Sequence, residues 1–171
     1  TFRSAEFPGI EAIIERFLAE QGAPAEEMVL GVAGPVINGR VKTTNLPWTV
    51  DEEEVCARFR FHKGKLINDL QSIGYAIPFL QREELHTLQA GAPEPGGTIA
   101  IVAPGTGLGE AFLAWDGRRY QPHPTEGGHT NFGPADSRQM ELLQYLLKTY
   151  PHVSYERVCS GIGIPNIYTF L

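Results

Sequence analysis

Residues 98–109 read Thr-Ile-Ala-Ile-Val-Ala-Pro-Gly-Thr-Gly-Leu-Gly. The apolar run Thr98 to Ala103 predicts a strand. It breaks into a glycine-rich turn, Gly105-Thr106-Gly107-Leu108-Gly109. Glycines let backbone N–H groups turn inward together, a geometry that cradles a phosphate. Two familiar glycine motifs do not fit. A dinucleotide-binding fingerprint needs Gly or Ala at its sixth position. Counting from Gly105 the sixth residue is Glu110, and from Gly107 it is Phe112. A P-loop ends in Gly-Lys-Ser/Thr, whereas the nearest candidate, Gly64-Lys65-Leu66, has no hydroxyl residue. Beyond the turn, Ala111, Leu113 and Trp115 alternate with other residues, and Asp116-Gly117 carries a hairpin signal. The loop therefore joins two strands. A plain glycine-rich hairpin is the alternative to a phosphate loop.

Upstream, Ile10, Ile13, Ile14, Phe17 and Leu18 fall at helical spacing and predict a helix over 8–21, with Pro8 in its first turn and Gly22 at its end. Met28 to Ala33 reads as a buried strand. Asn38-Gly39 between two short apolar pairs is a hairpin signal. Thr49 to Phe59 starts as a loop and becomes a helix, with Thr49 as its cap. Lys65 to Ile67 is a short strand, and Leu70, Ile73, Ile77 and Leu80 mark a helix that Pro78 kinks or ends. Downstream of the hairpin comes a mostly irregular stretch and then a helix, Ser137 to Thr149. Ser154 to Val158 starts a helix or turn, and Gly161-Ile162-Gly163 interrupts before Asn166 to Leu171. This order predicts an α/β chain with a mixed sheet. Pro93-Glu94-Pro95-Gly96-Gly97 is the best candidate boundary loop.

The chain has 171 residues, 42% of them hydrophobic, enough for a core. Its net charge of −6 argues against a nucleic-acid surface. No apolar run is long enough for a membrane helix, and nothing at the opening resembles a secretory signal. The opening residues and the stop in an apparent helix lead us to expect an internal piece of a longer protein. Cys56 and Cys159 form no paired motif, so neither a zinc site nor a disulfide framework is expected. They read as small buried hydrophobes in a reducing compartment. No metal-binding residues are assigned.

Polar residues suited to chemistry flank the glycine loop. Asp69 follows a strand and opens a helix. A carboxylate there can accept a proton from a substrate hydroxyl, but an Asp before a helix also serves as a cap. Asn68 has the same ambiguity. Glu126-Gly127-Gly128-His129 puts a carboxylate and an imidazole three residues apart, where both can meet neighbouring hydroxyls. A solvated surface turn is the alternative. Glu156 is the third carboxylate, or else a solvated residue at a helix end. A phosphate loop beside a sugar clamp implies a sugar kinase.

Leu66-Ile67-Asn68-Asp69, the Gly105–Gly109 loop, Glu126–His129 and Glu156-Arg157-Val158-Cys159-Ser160-Gly161 follow one another as in bacterial-type glucokinases. Gly34-Pro35-Val36 and Thr44-Asn45-Leu46-Pro47-Trp48 add to the resemblance, which covers essentially the whole chain. Related sugar kinases of the ROK type carry a cysteine-rich zinc motif after the Glu/His segment. Thr130-Asn131-Phe132-Gly133 stands there instead, so the chain resembles the non-ROK branch. The resemblance implies an actin-like ATPase (ribonuclease H-like) fold, two α/β lobes closing over sugar and MgATP, incomplete here at both ends. Residues 1–79 would belong to the small lobe and 80–171 to the large one. Asp69 would be the catalytic base that takes the proton of the glucose 6-hydroxyl. Asn68, Glu126, His129 and Glu156, with Asn45 near them, would bind the sugar. Gly105, Thr106 and Gly107 would bind ATP, which arrives with Mg²⁺.

The family's opening D-x-G-G-T-N phosphate loop is not among these residues, nor is the adenosine-binding part. The chain thus retains most of a sugar site and half of a nucleotide site, and by itself is expected to be inactive. The expected activity of the whole is glucose plus ATP giving glucose 6-phosphate, in the cytoplasm, by a homodimer without membrane or nucleic-acid partners. A sugar-sensing module without catalysis and a kinase for another hexose are the alternatives.

Overall fold

A computed structural model describes residues 1–22, 24–43 and 46–171. The chain divides into two compact units, Thr1–Ser72 and Ile73–Leu171.

In the first unit, α1 spans Ile10–Gln21. It stops at Gly22, whose left-handed φ of 63° lets its N–H close on Leu18 O. Strand β1 (Glu27–Val32) pairs in parallel with β4 (Lys63–Asn68), with Leu30 opposite Leu66 and Val32 opposite Asn68. Strand β2 (Arg40–Lys42) pairs antiparallel with β3 (Thr49–Asp51). The Asn38-Gly39 turn forms as predicted. Both residues have positive φ, 51° and 73°, and Ile37 and Arg40 exchange backbone hydrogen bonds of 2.8 and 3.0 Å.

Thr49 does not cap the helix that follows, α2 (Glu52–Phe59), but lies in β3. Asp51 is the cap. Its carboxylate accepts from the N–H groups of Glu53 and Glu54 at 2.9 and 3.1 Å and pairs with Arg40. The Glu54 N–H, then the Arg40 guanidinium, hold its pKa below the usual carboxylate range. Ile14, Met28, Val41, Val50, Val55, Phe61 and Leu66 form the core of this unit.

Helix α3 (Asp69–Ala76) begins in the first unit, and a 3-10 turn, Ile77–Phe79, follows it. Pro78 sits in that turn, where the α-helix has ended, as its missing N–H requires. The Pro93–Gly97 stretch falls inside the second unit rather than between units.

The second unit contains an antiparallel sheet in the order β5 (Ile99–Pro104), β6 (Leu108–Trp115), β7 (Tyr120–Thr125). Pro104 faces Leu108, so the glycine loop is a hairpin connection, as predicted. Strand β7 occupies part of the stretch expected to be irregular. Pro122 and Pro124 hid it. They stand two residues apart, so their missing N–H groups point the same way, and an edge strand tolerates that. The mixed sheet expected from the sequence is instead three small sheets, one parallel and two antiparallel, among the described residues.

Helix α4 (Ser137–Leu146) ends a few residues before Thr149, and its cap, Asp136, accepts from Gln139 N–H at 2.8 Å. A 3-10 turn, Tyr155–Arg157, precedes α5 (Gly163–Phe170). Gly163 belongs to α5 and does not interrupt it. The Ser160 hydroxyl accepts from the N–H groups of Ile162 and Gly163 and so starts that helix. Leu142, Leu146 and Val153 are buried together, with Phe132, Ile167 and Phe170 against them. Among the described residues no helix is long and apolar enough to cross a membrane.

Candidate functional site

Strand β4 delivers Asn68 and Asp69 to the start of α3. The cap of α3 is Asn68. Its Oδ1 accepts from Leu70 N–H at 3.0 Å and Gln71 N–H at 3.3 Å, and its Nδ2 donates to Gly34 O at 3.2 Å. Asp69 is therefore the first helical residue, not the cap. Among the described residues its Oδ1 accepts only from the adjacent Leu70 N–H, at 2.9 Å. The side chain is exposed, and among the described residues Oδ2 has no hydrogen-bond partner. Gly34 was quoted in the sequence only as part of a motif. Its φ of 134° and the crowding of Lys42 O and Val41 against it suit glycine alone.

The remaining candidates share the second unit. The Gly105 N–H donates to Gly107 O at 2.9 Å, and Gly105 O accepts from Gly161 N–H at 2.7 Å. Among the described residues the N–H groups of Thr106 and Gly107 have no protein acceptor. Glu156 reaches this loop, its Oε2 accepting from Leu108 N–H at 2.9 Å. Its Oε1 lies 4.0 Å from His129 Nδ1, and His129 Nε2 lies 3.7 Å from Glu126 Oε2. Two carboxylates thus flank one imidazole beside the glycine loop. Glu156 is 18% exposed, His129 61% and Glu126 82%, so the last two are open to a ligand while the first is anchored.

Backbone pairing makes this cluster. Phe132 N–H donates to Val153 O at 2.9 Å and Tyr155 N–H to Thr130 O at 3.1 Å, which draws the Glu126–His129 segment against the Tyr155–Arg157 turn. Two glycines permit the approach. A Cβ on Gly107 would strike the Glu156 carboxylate, and one on Gly128 would strike the Leu108 carbonyl.

The structure therefore gathers Gly105, Thr106, Gly107, Glu126, His129 and Glu156 in one unit and sets Asn68 beside Asp69 in the other. Asn45 lies outside the described residues. The sequence assigned no role to Leu108 N–H, Ser160 or Gly161, although Ser160-Gly161 stood in a quoted motif. Backbone donors leave no residue signature. Among the described residues no group of three or more His, Cys, Asp or Glu is placed to hold a metal.

A family model described as Glucokinase matches residues 1–171. The chain belongs to the glucokinase family. The glucokinase of Nostoc punctiforme is 41% identical to it over 174 residues, covering 100% of this chain and 51% of that protein. The crystal structure of a glucokinase from an Antarctic psychrotroph superposes with a TM-score of 0.86 at 33% identity, over 99% of this chain and 53% of that one. A Balamuthia mandrillaris glucokinase, solved in complex with glucose, shares the fold at a TM-score of 0.65 and 24% identity, over 94% of this chain and 50% of that one. The fold is thus the actin-like ATPase type of the sugar kinases. The chain spans about half the length of the glucokinases it matches.

Proposed function

We propose that the complete protein transfers the γ-phosphoryl group of ATP to the 6-hydroxyl of glucose. The observation that carries this reading is the Glu126–His129–Glu156 cluster, held against a glycine loop by one carboxylate. A carboxylate–imidazole–carboxylate row offers acceptors and a switchable donor to adjacent hydroxyls. The loop offers the N–H groups of Thr106 and Gly107 to phosphate oxygens.

Asp69 takes the proton as the sugar oxygen attacks. The O6–phosphorus bond forms, the bond from phosphorus to the β-phosphate oxygen breaks, and ADP leaves. Such a transfer depends mostly on positioning and charge neutralisation. Asn68 fixes the start of α3 and so the place of Asp69, with one amide hydrogen left for a hydroxyl. Glu126 and His129 hold hydroxyls from their open side, and Glu156 does so through Oε1. Asn45 is a further candidate contact. Mg²⁺ arrives as part of the MgATP substrate. Cys56 is half-buried and Cys159 exposed, rather than both buried as expected, and free thiols so placed suit a reducing cytoplasm. A homodimer is proposed from family resemblance alone.

The test is a coupled ADP-release assay on the complete protein with a hexose panel, alongside calorimetry with glucose. Glucose-dependent ADP release is the expected result. Glucose binding without turnover would point to a sugar-sensing module, and preference for another hexose to a sister kinase.

A further inference from the structure

Glu156 touches both halves of the second unit's site. One oxygen, Oε2, receives the Leu108 N–H at the end of the glycine loop, while the other, Oε1, faces His129 in the sugar cluster. We propose that Glu156 is a strut through which sugar binding and nucleotide binding are energetically coupled. The proposal rests on the kinase reading above and adds to it a link between the two substrates.

Several contacts make the strut stiff. The carboxylate is mostly buried, and a hydrogen bond to an ionised acceptor is stronger than a neutral one. The Glu156 carbonyl accepts from the Ser160 hydroxyl at 2.6 Å, which fixes the turn that carries it. Gly161 N–H then donates to Gly105 O at 2.7 Å. The segment 156–161 therefore grips the loop at both ends, at Gly105 and at Leu108. Between these ties stand Thr106 and Gly107, the residues whose N–H groups are open to phosphate. Gly107 lies so close to the Glu156 carboxylate that a Cβ would strike it.

The loop's shape and the carboxylate's position thus depend on each other. A sugar hydroxyl on Oε1 holds the carboxylate in place and orders the loop for phosphate. A phosphate on the loop holds the carboxylate for the sugar. Linkage makes the two effects equal in free energy.

Gly107→Ala in the complete protein probes this link, because it alters the loop and reaches the sugar cluster through the Glu156 carboxylate, with Glu126 and His129 unaltered. Glucose affinity is measured by calorimetry with no nucleotide present. The added methyl displaces the Glu156 carboxylate, so we expect glucose to bind at least about fivefold more weakly, the lower end of usual coupling strengths. In the Glu156→Ala background the same substitution should cost glucose binding nothing further, since neighbours that act through one contact are not additive. The melting temperature of each variant shows that it folds.

If Gly107→Ala does not fold, Glu156→Asp supplies the reciprocal measurement. Its shorter carboxylate withdraws from Leu108 N–H, so a non-hydrolysable ATP analogue with Mg²⁺ should bind at least about fivefold more weakly without sugar. Unchanged glucose affinity in folded Gly107→Ala, additive losses in the double variant, or unchanged analogue affinity in Glu156→Asp would each overturn the coupling. A wild-type protein that binds no glucose would instead remove the kinase reading, and this inference with it.

Discussion

Asp69→Asn in the complete protein separates proton acceptance from helix geometry, because the helix cap is Asn68 while the proposed base is Asp69. Asn68 caps α3 with bonds to Leu70 and Gln71 N–H, and Asp69 adds only the bond to Leu70 N–H. The amide oxygen of Asn can keep that bond. What the folded state loses is a charge in the first helical turn, about 0.3–1 kcal/mol. A change of that size moves the melting temperature by a few degrees at most. The chemical step loses its proton acceptor, and kcat should fall by roughly 10²–10⁴-fold, or about 3–5 kcal/mol of barrier. Glucose affinity should fall much less, because the amide still accepts a hydrogen bond from the hydroxyl. The companion variant Asn68→Ala should lower stability as well as kcat, since it removes the cap that places Asp69. Losing an N-cap costs about 1 kcal/mol of stability, and the tie to Gly34 goes with it. The assay is kcat by coupled ADP release, with melting temperature and glucose affinity on the same preparations. Near-normal kcat in Asp69→Asn would refute Asp69 as the base. A large kcat loss together with collapse of the melting temperature would show that the carboxylate is structural.

Glu126→Gln keeps shape and removes charge from a proposed hydroxyl acceptor. A charged hydrogen bond contributes about 1.5–3 kcal/mol, so glucose affinity by calorimetry should fall at least about tenfold, and an unchanged value would return Glu126 to a solvated turn. Gly128→Ala forces a methyl against the Leu108 carbonyl in a buried turn. It should destabilise the protein by about 1–3 kcal/mol in denaturant titration, and a neutral effect would mean that the turn relaxes freely. The Asp116 carboxyl, bonded by Gln121 Nε2 and the N–H groups of Arg119 and Arg118, is pushed down to about 2. A pKa lowered on folding gives stability that is full above the unfolded value of about 3.9 and lost as pH falls through about 2. An NMR titration should find the Asp116 midpoint near 2, and a midpoint near 4 would refute the hairpin's grip on it.

Features carried by adjacent residues are legible in the sequence itself. Asn38-Gly39 announces its turn because positive φ at two consecutive positions is costly for most other pairs. The α1 helix is visible in its apolar spacing, and the β5–loop–β6 hairpin in an apolar run that breaks at glycines. Where two neighbours could do one job, the sequence could not choose between them. Asn68 and Asp69 both resemble the cap of α3, and at α2 the reading of Thr49 as cap missed Asp51, which takes that place. The choice depends on which residue the strand delivers to the first free N–H groups. Strand β7 was hidden because two prolines weigh against any strand, and only its edge position makes them harmless.

The chain's residues alone identified which side chains have hydroxyl-binding and proton-accepting chemistry, because that chemistry belongs to each side chain wherever it stands. Tertiary structure decided which of them meet. Glu156 lies 48 residues along the chain from the Leu108 N–H that it binds. What joins them is the pairing of residues 130–132 with 153–155 and the absence of a Cβ at Gly107 and Gly128. These are backbone contacts between distant segments. They form only once the chain has folded, and no short motif encodes them.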